Sequence, residues 1–380
     1  MRGSRETAPG RRGMLKVGAA GAVAATVLAT PNVSRAQTVL MRFQTGWAAR
    51  DILQEFAQDY VTRVNQLGGG RLRLELLSAG AVVGVFQMQD AVSAGTLDGA
   101  HGVTAYWFGK NKAFSLFGTA PPWFGDANQL LAWFYYGGGE ALYRELVQDT
   151  MRMGIVGFLS GPIPTQPLGW FRQPIERAEQ LRGLRYRTVG LAADLFQEMG
   201  SAVVSLAGPD VVPALERGVI DAAEWSNPSS DRLAGFPDIA RNYMLQSYHQ
   251  RVECFEIIFN KAKYEGLPEE QRAILRYGAE AASSDMSWKQ QDRFSRDLVA
   301  MAQAGVAVRT TPRPILEAQL QAWDRVVARI EGDNSSPANG PLFKRICDSQ
   351  RDWCRRVAGF YLRYEASPVM SYNHFFARPG

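Results

Sequence analysis

Beyond residue 36 the chain alternates short apolar runs with stretches of helical spacing. Val39 to Gln44 predicts a first strand, closed by Trp47. Arg50 to Gln66, with Ile52, Leu53, Phe56, Tyr60 and Val64 at helical spacing and three glycines from Gly68 behind it, predicts a helix. Leu72, Leu74 and Leu76 at period two predict a strand over Arg71 to Leu77, and a short helix and strand follow, ending near Val103. For such a βαβαβ start a parallel sheet with right-handed crossovers is the default. After an aromatic-rich stretch from Tyr106 to Tyr136, Gly154 to Leu159 predicts another strand, and Ser160-Gly-Pro-Ile-Pro-Thr165 predicts a turn-rich connection. The pattern then repeats: strand Leu184 to Val189, helix Leu191 to Met199, strand Ala202 to Leu206, helix Pro209 to Arg217 and a strand ending at Glu224. Cys254 to Asn260 predicts a strand that crosses back between two lobes. Pro268 to Gln303 predicts a long helix, with Ile274, Leu275, Tyr277 and Ala281 among its apolar positions. A short strand over Val306 to Thr310, a helix over Ile315 to Ile330 and a loop from Gly332 to Gly340 follow. The last helix carries an apolar stripe of Leu342, Ile346, Trp353, Val357, Phe360 and Tyr364.

One unit occurs twice. Asp90 to Gly102 lines up with the stretch from Val212 to Trp225 when Gly95 is laid on Gly218 and Asp98 on Asp221. Both read as the last turn of a helix, a glycine able to take positive φ, and a strand containing an aspartate. On this alignment His101 falls where Glu224 does and Gly102 where Trp225 does. The duplication points to two α/β lobes, and open sheets of this kind hold ligands outside the carboxyl ends of their strands.

The first 36 residues read as an address. Arg11-Arg-Gly-Met-Leu-Lys16 is a twin arginine followed by an Ala/Gly/Val run from Val17 to Thr30, which is shorter than a bilayer span needs, with small residues at Ser34 and Ala36 before Gln37. This predicts a cleaved twin-arginine export signal over 1–36 and a periplasmic protein. The whole chain has 42 basic and 37 acidic residues. The leader holds six of the basic residues and one acidic residue, so the remainder is formally neutral and offers nothing to nucleic acid or an acidic membrane. Cys254, Cys347 and Cys354 are read as free, mostly buried thiols, since the last two stand about 10 Å apart along a helix, too far for a disulfide.

Catalytic signatures are scarce. There is no Gly-x-Ser-x-Gly elbow, Walker loop or His-Glu-x-x-His, no closely spaced cysteine pair, and His101, His249 and His374 are the only histidines. Asp221 and Glu224, three apart on a strand, point to opposite faces. In the strand from Leu184 to Val189, Arg185 and Arg187 share a face and Arg187 lies nearer the carboxyl end. A guanidinium there offers two parallel N–H donors to a carboxylate. Tyr106 and Trp107, just after the first-lobe strand, are candidates to line the same crevice.

Together the leader, Ala105-Tyr-Trp-Phe-Gly-Lys110, Gln166-Pro-Leu-Gly-Trp-Phe-Arg172, Gly183-Leu-Arg-Tyr-Arg187 and Asp221-Ala-Ala-Glu-Trp225 resemble the solute-binding subunits of TRAP (tripartite ATP-independent periplasmic) transporters, DctP type. The subgroup most similar binds 2-oxo acids with a cation. The resemblance implies an α/β, two-lobed, periplasmic-binding-protein-like fold with crossing strands and a long connecting helix, and no catalysis. It divides the chain into lobe I (37–155 and part of 255–310), lobe II (156–254), the long interlobe helix and following elements (265–340) and a C-terminal helix (341–380) that serves the subgroup as a dimerisation arm. Carried over by position, Arg187 holds the substrate carboxylate, with Gln166 and Trp225 as further substrate-binding residues beside the candidates Tyr106 and Trp107 read from their place after the first-lobe strand. Gln166, Glu224, Trp225 (through its backbone carbonyl) and Gln250 are the ligands of a Na⁺ or Ca²⁺ ion, which wants oxygen donors. Two positions depart from the subgroup: the Pro162-Ile-Pro164 turn replaces an asparagine, and Gln250 replaces an acid, leaving Glu224 as the sole expected anion of the cation site. The implied function is capture of a small 2-oxo or 2-hydroxy carboxylate for TRAP membrane subunits. A secreted α/β enzyme acting on an organic acid and a periplasmic ligand-sensing module are the alternatives.

Overall fold

A computed structural model describes residues 38–335 and 339–364. The predicted leader lies outside the described residues, as do the chain end and the side chain of Tyr364. Among the described residues, no helix is long and apolar enough to cross a membrane.

The strands form two sheets. The first contains β1 (Val39–Thr45), β2 (Leu72–Leu77), β3 (Gly99–Gly102), β4 (Ile155–Ile163) and β10 (Glu253–Asn260), in the order β2-β1-β3-β10-β4. The second contains β5 (Gly169–Phe171), β6 (Arg185–Arg187), β7 (Ala202–Val204), β8 (Ala222–Ala223), β9 (Asn242–Met244) and β11 (Ala307–Arg309), in the order β11-β9-β5-β8-β6-β7. The parallel start is as read from the sequence: β1 pairs in parallel with β2 and β3, because the helix Ile52–Leu67 and the short helix Met88–Ser93 carry the chain back each time. In the second sheet β6 is parallel to both β7 and β8.

The repeated unit does the same work in each lobe. Gly95 and Gly218 take φ of +77° and +69°, the left-handed turn that ends each helix. Asp98 accepts from the Arg42 amide at 2.6 Å, and Asp221 accepts from the Arg185 amide at 3.0 Å. Each aspartate amide donates back to the same partner's carbonyl, so each unit locks its strand to the neighbouring strand.

Three expectations are corrected. Ser160 to Ile163 is not a turn but the end of β4, which runs alongside β10 with a register shift at Cys254/Phe255. Gly161, at φ +60°, forms the bulge. Its amide donates to Ser283 Oγ at 2.8 Å, and the Pro162 carbonyl accepts from Gln290 Nε2 at 2.8 Å, so the helix Glu269–Gln303 satisfies the groups the bulge frees. β4, grouped by sequence with lobe II, therefore belongs to the first sheet, and β11, which follows the long helix, belongs to the second. Tyr277, read as an apolar helix position, is 62% exposed; Leu275 and Ala279 face the core instead.

The chain passes between the sheets three times: through 164–168, through 245–252, and along the 35-residue helix Glu269–Gln303, which packs on helix Ile52–Leu67, on β4 and on helix Pro228–Ala234. The first two crossings lie side by side. The Gln166 amide donates to the Gln250 carbonyl at 3.1 Å, and Thr165 Oγ1 to the Arg251 carbonyl at 3.0 Å. Most of the aromatic stretch is core, including Trp107, Phe114, Phe117, Phe124, Trp133 and Phe134. In the helix Gly340–Tyr364, Leu342, Phe343, Ile346 and Cys347 are buried, while Phe360 near its end is 53% exposed. All three cysteines are free and buried.

Candidate functional site

The ends of β6, β7 and β8 converge, as parallel strands place them, at one edge of the second sheet. Arg187 is the last residue of β6 and opposes Ala223 of β8, so Glu224 follows directly beside it. Both side chains are 1% exposed, and Arg187 Nη1 donates to Glu224 Oε1 at 2.9 Å and to the Glu224 carbonyl at 3.3 Å. Nε and Nη2 both donate to the carbonyl of Leu206, just beyond β7, at 3.0 and 2.8 Å. The guanidinium is thus anchored along one edge by backbone and at Nη1 by a carboxylate. The parallel N–H pair expected to be open to a ligand carboxylate is occupied on the Nε–Nη2 edge, leaving the end formed by Nη1 and Nη2. Period two put Arg185 on the same face. The structure leaves Arg185 half-exposed and paired with Asp221 at 2.5 Å, so it takes no part here.

Around this pair lies a cavity lined by Trp47, Leu53, Tyr106, Gln166, Val189, Glu224, Trp225, Ser226, Gln250 and Glu253, with Arg187 in its wall. Its open volume is only about 10 Å³, roughly the room one water needs. Gln166, Arg187, Glu224, Trp225, Gln250 and Tyr106 are therefore brought together. Trp107 is not: its indole is buried behind Tyr106 and donates to Glu256 at 2.7 Å. The Trp225 ring lies 5.2 Å from the Arg187 guanidinium carbon, a cation–π contact.

Glu253 is the residue that sequence reading missed. It is the first residue of β10, directly after the second crossing, and its Oε2 accepts from Gln166 Nε2 at 2.6 Å. The cavity thus has two carboxylates, not one, and the acid looked for at Gln250 stands three residues further on. A carboxylate opening an apolar strand was the available signal. Trp47, Leu53 and Val189 were also missed as lining residues, because their own segments read as ordinary core.

The electrostatics are those of charge kept from water. Burial pushes Glu224 up to about 7, opposed by Arg187, and burial pushes Glu253 up to about 8, opposed mainly by the bond from Gln166. His249, buried beneath the site with Nδ1 2.6 Å from Ser247 Oγ, is pushed down to about 3 by burial and then by Arg187, so it is neutral. His101, which the repeat aligns with Glu224, is likewise neutral: it is pushed down to about 3 by burial, and its Nδ1 accepts from Trp47 Nε1 at 2.9 Å.

Several buried polar atoms around the cavity have no protein partner: Glu224 Oε2, Gln166 Oε1 and both Gln250 side-chain atoms. The Thr188 hydroxyl is near enough to favour the ionised Glu224 but completes no hydrogen bond with it. Three unsatisfied oxygens, one of them on a carboxylate, with a second carboxylate beside them form a donor set that fits a hard cation. No group of three or more His, Cys, Asp or Glu side chains placed to hold a metal ion is found among the described residues, so a cation held here would rely on amide oxygens as well. An open groove of about 550 Å³ between helix Ala127–Tyr136 and the long helix contains none of these groups, and Arg276 within it is spent on Glu140.

Known proteins share the sequence and the fold of this chain. The family model described as DctP, bacterial extracellular solute-binding protein, family 7, matches residues 43–333. A monocarboxylate 2-oxoacid-binding periplasmic protein of Nostoc sp. is 28% identical over 79% of this chain and 80% of its own length. A TRAP transporter solute-binding protein from Bordetella bronchiseptica, crystallised with copurified calcium and picolinate, superposes with a TM-score of 0.83 at 27% identity over 89% of this chain and 97% of that one. One from Pseudoalteromonas atlantica, with bound sodium and pyruvate, gives 0.80 at 27% identity over 88% and 99%. The chain belongs to the DctP family of bacterial extracellular solute-binding proteins, family 7, and has the two-lobed fold of TRAP solute-binding proteins.

Proposed function

We propose that this protein binds a small monocarboxylate, a 2-oxo or 2-hydroxy acid, together with Na⁺ or Ca²⁺ in the cavity at Arg187, and hands the acid to the membrane subunits of a TRAP transporter. The observation that carries this reading is the Arg187–Glu224 pair, closed at 2.9 Å beside three unsatisfied oxygens. A carboxylate that takes Nη1 and Nη2 of Arg187 displaces Glu224 Oε1. The freed Glu224 then needs a counter-charge in a site that water does not reach, and a cation held by Glu224, Gln166, Gln250 and Glu253, with the Trp225 carbonyl, supplies it. With Na⁺, acid and cation are bound as a neutral pair by a site whose Arg187 and Glu224 charges already cancel, and with Ca²⁺ an ionised Glu253 balances the second positive charge. The relatives crystallised with calcium and picolinate or with sodium and pyruvate support the ligand class.

Tyr106, Trp47, Leu53 and Val189 offer the acid an apolar wall, and since the closed cavity has room for about one water, acid and cation enter as the lobes part. Binding without turnover is the expected behaviour, as for the extracellular solute-binding family to which the chain belongs. The predicted twin-arginine leader fits the extracellular role of the family and would put the protein in the periplasm. The exposed Phe360 and half-buried Trp353 suit a homodimer through the C-terminal helix, which a monomeric mass in solution would contradict.

A thermal-shift screen of 2-oxo and 2-hydroxy acids, with and without Na⁺ or Ca²⁺, tests the reading. An acid at a hundred times its dissociation constant adds about 2.7 kcal/mol of stability. No stabilisation by any acid with either cation, or turnover of an acid by the purified protein, would overturn it.

A further inference from the structure

We infer that Asp51 is a positioning residue, the clasp by which the first lobe holds Trp225 over Arg187 and keeps the cavity shut. This rests on the carboxylate-binding reading above. Asp51 caps the helix Ile52–Leu67, with Oδ1 accepting from the Leu53 amide at 3.0 Å. A cap needs no more than that. Yet Asp51 also reaches into the second lobe: Oδ1 accepts from Ser230 Oγ at 2.5 Å, and Oδ2 accepts from Trp225 Nε1 at 3.1 Å. Trp225 Nε1 is shared with Ser230 Oγ at 2.7 Å, so carboxylate, hydroxyl and indole form one closed cluster.

All three residues are buried, and Asp51 stands 174 positions from Trp225 and 179 from Ser230. The ion pairs Lys112–Asp194 and Arg232–Asp297 do not reach the helix Ile52–Leu67, and with half-exposed cations they contribute little. Inside the second lobe, Trp225 is placed by its bond to Ser230 Oγ and by close contact: a Cβ on Gly208 would come within 2.2 Å of the ring. Gly208 thus leaves room for the indole, Arg187 faces it at 5.2 Å, and Asp51 fixes its N–H edge from the other lobe. When the lobes part, the Asp51 bonds are lost and the indole keeps only the Ser230 hydroxyl, itself no longer held by Asp51, so the wall over Arg187 is fixed from both sides only when the lobes meet. Closure and the binding geometry at Arg187 are thereby coupled through one side chain that does not line the cavity.

The test uses Asp51→Asn, which keeps a capping oxygen for Leu53 but cannot accept on both atoms, Ser230→Ala, which leaves the cap untouched, and their double variant. The probe is pyruvate with calcium chloride, followed by stopped-flow tryptophan fluorescence. Each single variant should dissociate pyruvate at least tenfold faster, with association within about threefold of wild type, and the double variant should be no worse than the poorer single. Unfolding midpoints near wild type separate this from misfolding. In parallel, spin labels on Glu75→Cys and Arg217→Cys, exposed positions on the two lobes, read the interlobe distance with and without the acid. Both clasp variants should show a larger share of long distances than wild type. Dissociation within twofold of wild type, or effects that multiply in the double variant, overturns the clasp. A wild type that binds no pyruvate defeats the functional reading alone. The clasp then stands on the label distances, and distributions the same in Asp51→Asn as in wild type would refute it.

Discussion

Arg187 and Glu224, 37 positions apart, form an ion pair in which both side chains are 1% exposed and the guanidinium meets both the carboxylate and the main-chain carbonyl of its partner. Removing one partner from such a pair strands a charge away from water, which costs several kcal/mol, whereas exchanging each partner for an outside charge of the same sign costs far less. A site built this way should take up an anion and a cation together and respond poorly to either alone.

Cation and acid should therefore be linked. Calcium at millimolar concentration should tighten pyruvate binding at least tenfold, about 1.4 kcal/mol, and pyruvate should tighten calcium binding by the same factor. Glu224→Gln and Glu253→Gln should each reduce that factor. Titration calorimetry of pyruvate at several calcium concentrations measures it, and an affinity that does not change with either cation would contradict the exchange.

The turn after Trp225 is held by Asp231, which accepts from Trp170 Nε1 at 2.8 Å and from the amides of Ser226 and Asn227 at 3.1 and 3.2 Å, all without solvent. Asp231→Ala leaves these donors unpaired and should cost about 2–4 kcal/mol in urea unfolding, with acid binding weakened in the same variant. A loss under about 1 kcal/mol would show that the turn holds itself.

Glu256, in the middle of β10, accepts from Trp107 Nε1 at 2.7 Å and Tyr143 Oη at 2.5 Å and is pushed up to about 7 by burial, against those bonds. In the unfolded chain it releases its proton near 4.5. Between these values the folded protein binds more protons than the unfolded one, so this group makes stability fall as pH rises from about 4.5 to 7, with no further change above. Glu256→Gln removes the effect. Its stability relative to wild type should improve by an amount of the order of 2 kcal/mol between pH 5 and pH 8, and a difference that stays constant across that range would show that Glu256 does not titrate there.

Much of the frame was legible in the chain because it is local. The parallel start follows from period-two strands and a helix at 3.6 spacing, and the equivalence of Asp98 and Asp221 follows from one glycine in each copy. Arg187 and Glu224 were readable because each ends a strand. Glu253, Trp47 and Asp51 were not, since their roles arise only where the two crossings and the two lobes meet, and no spacing in the sequence records that meeting. The bulge at Gly161 was misread for the same reason. Two prolines near a glycine signal a turn unless another element satisfies the freed backbone groups, and Ser283 and Gln290 do so from more than a hundred residues away.

The central claim is that Arg187 holds the acid, and titration calorimetry of pyruvate with calcium on wild type and Arg187→Lys tests it most directly. Lysine keeps the charge beside Glu224 but loses the planar pair of donors at Nη1 and Nη2. The account predicts binding at least a hundredfold weaker in Arg187→Lys, about 2.7 kcal/mol, with the circular dichroism of the wild type. Binding within threefold of wild type would contradict it.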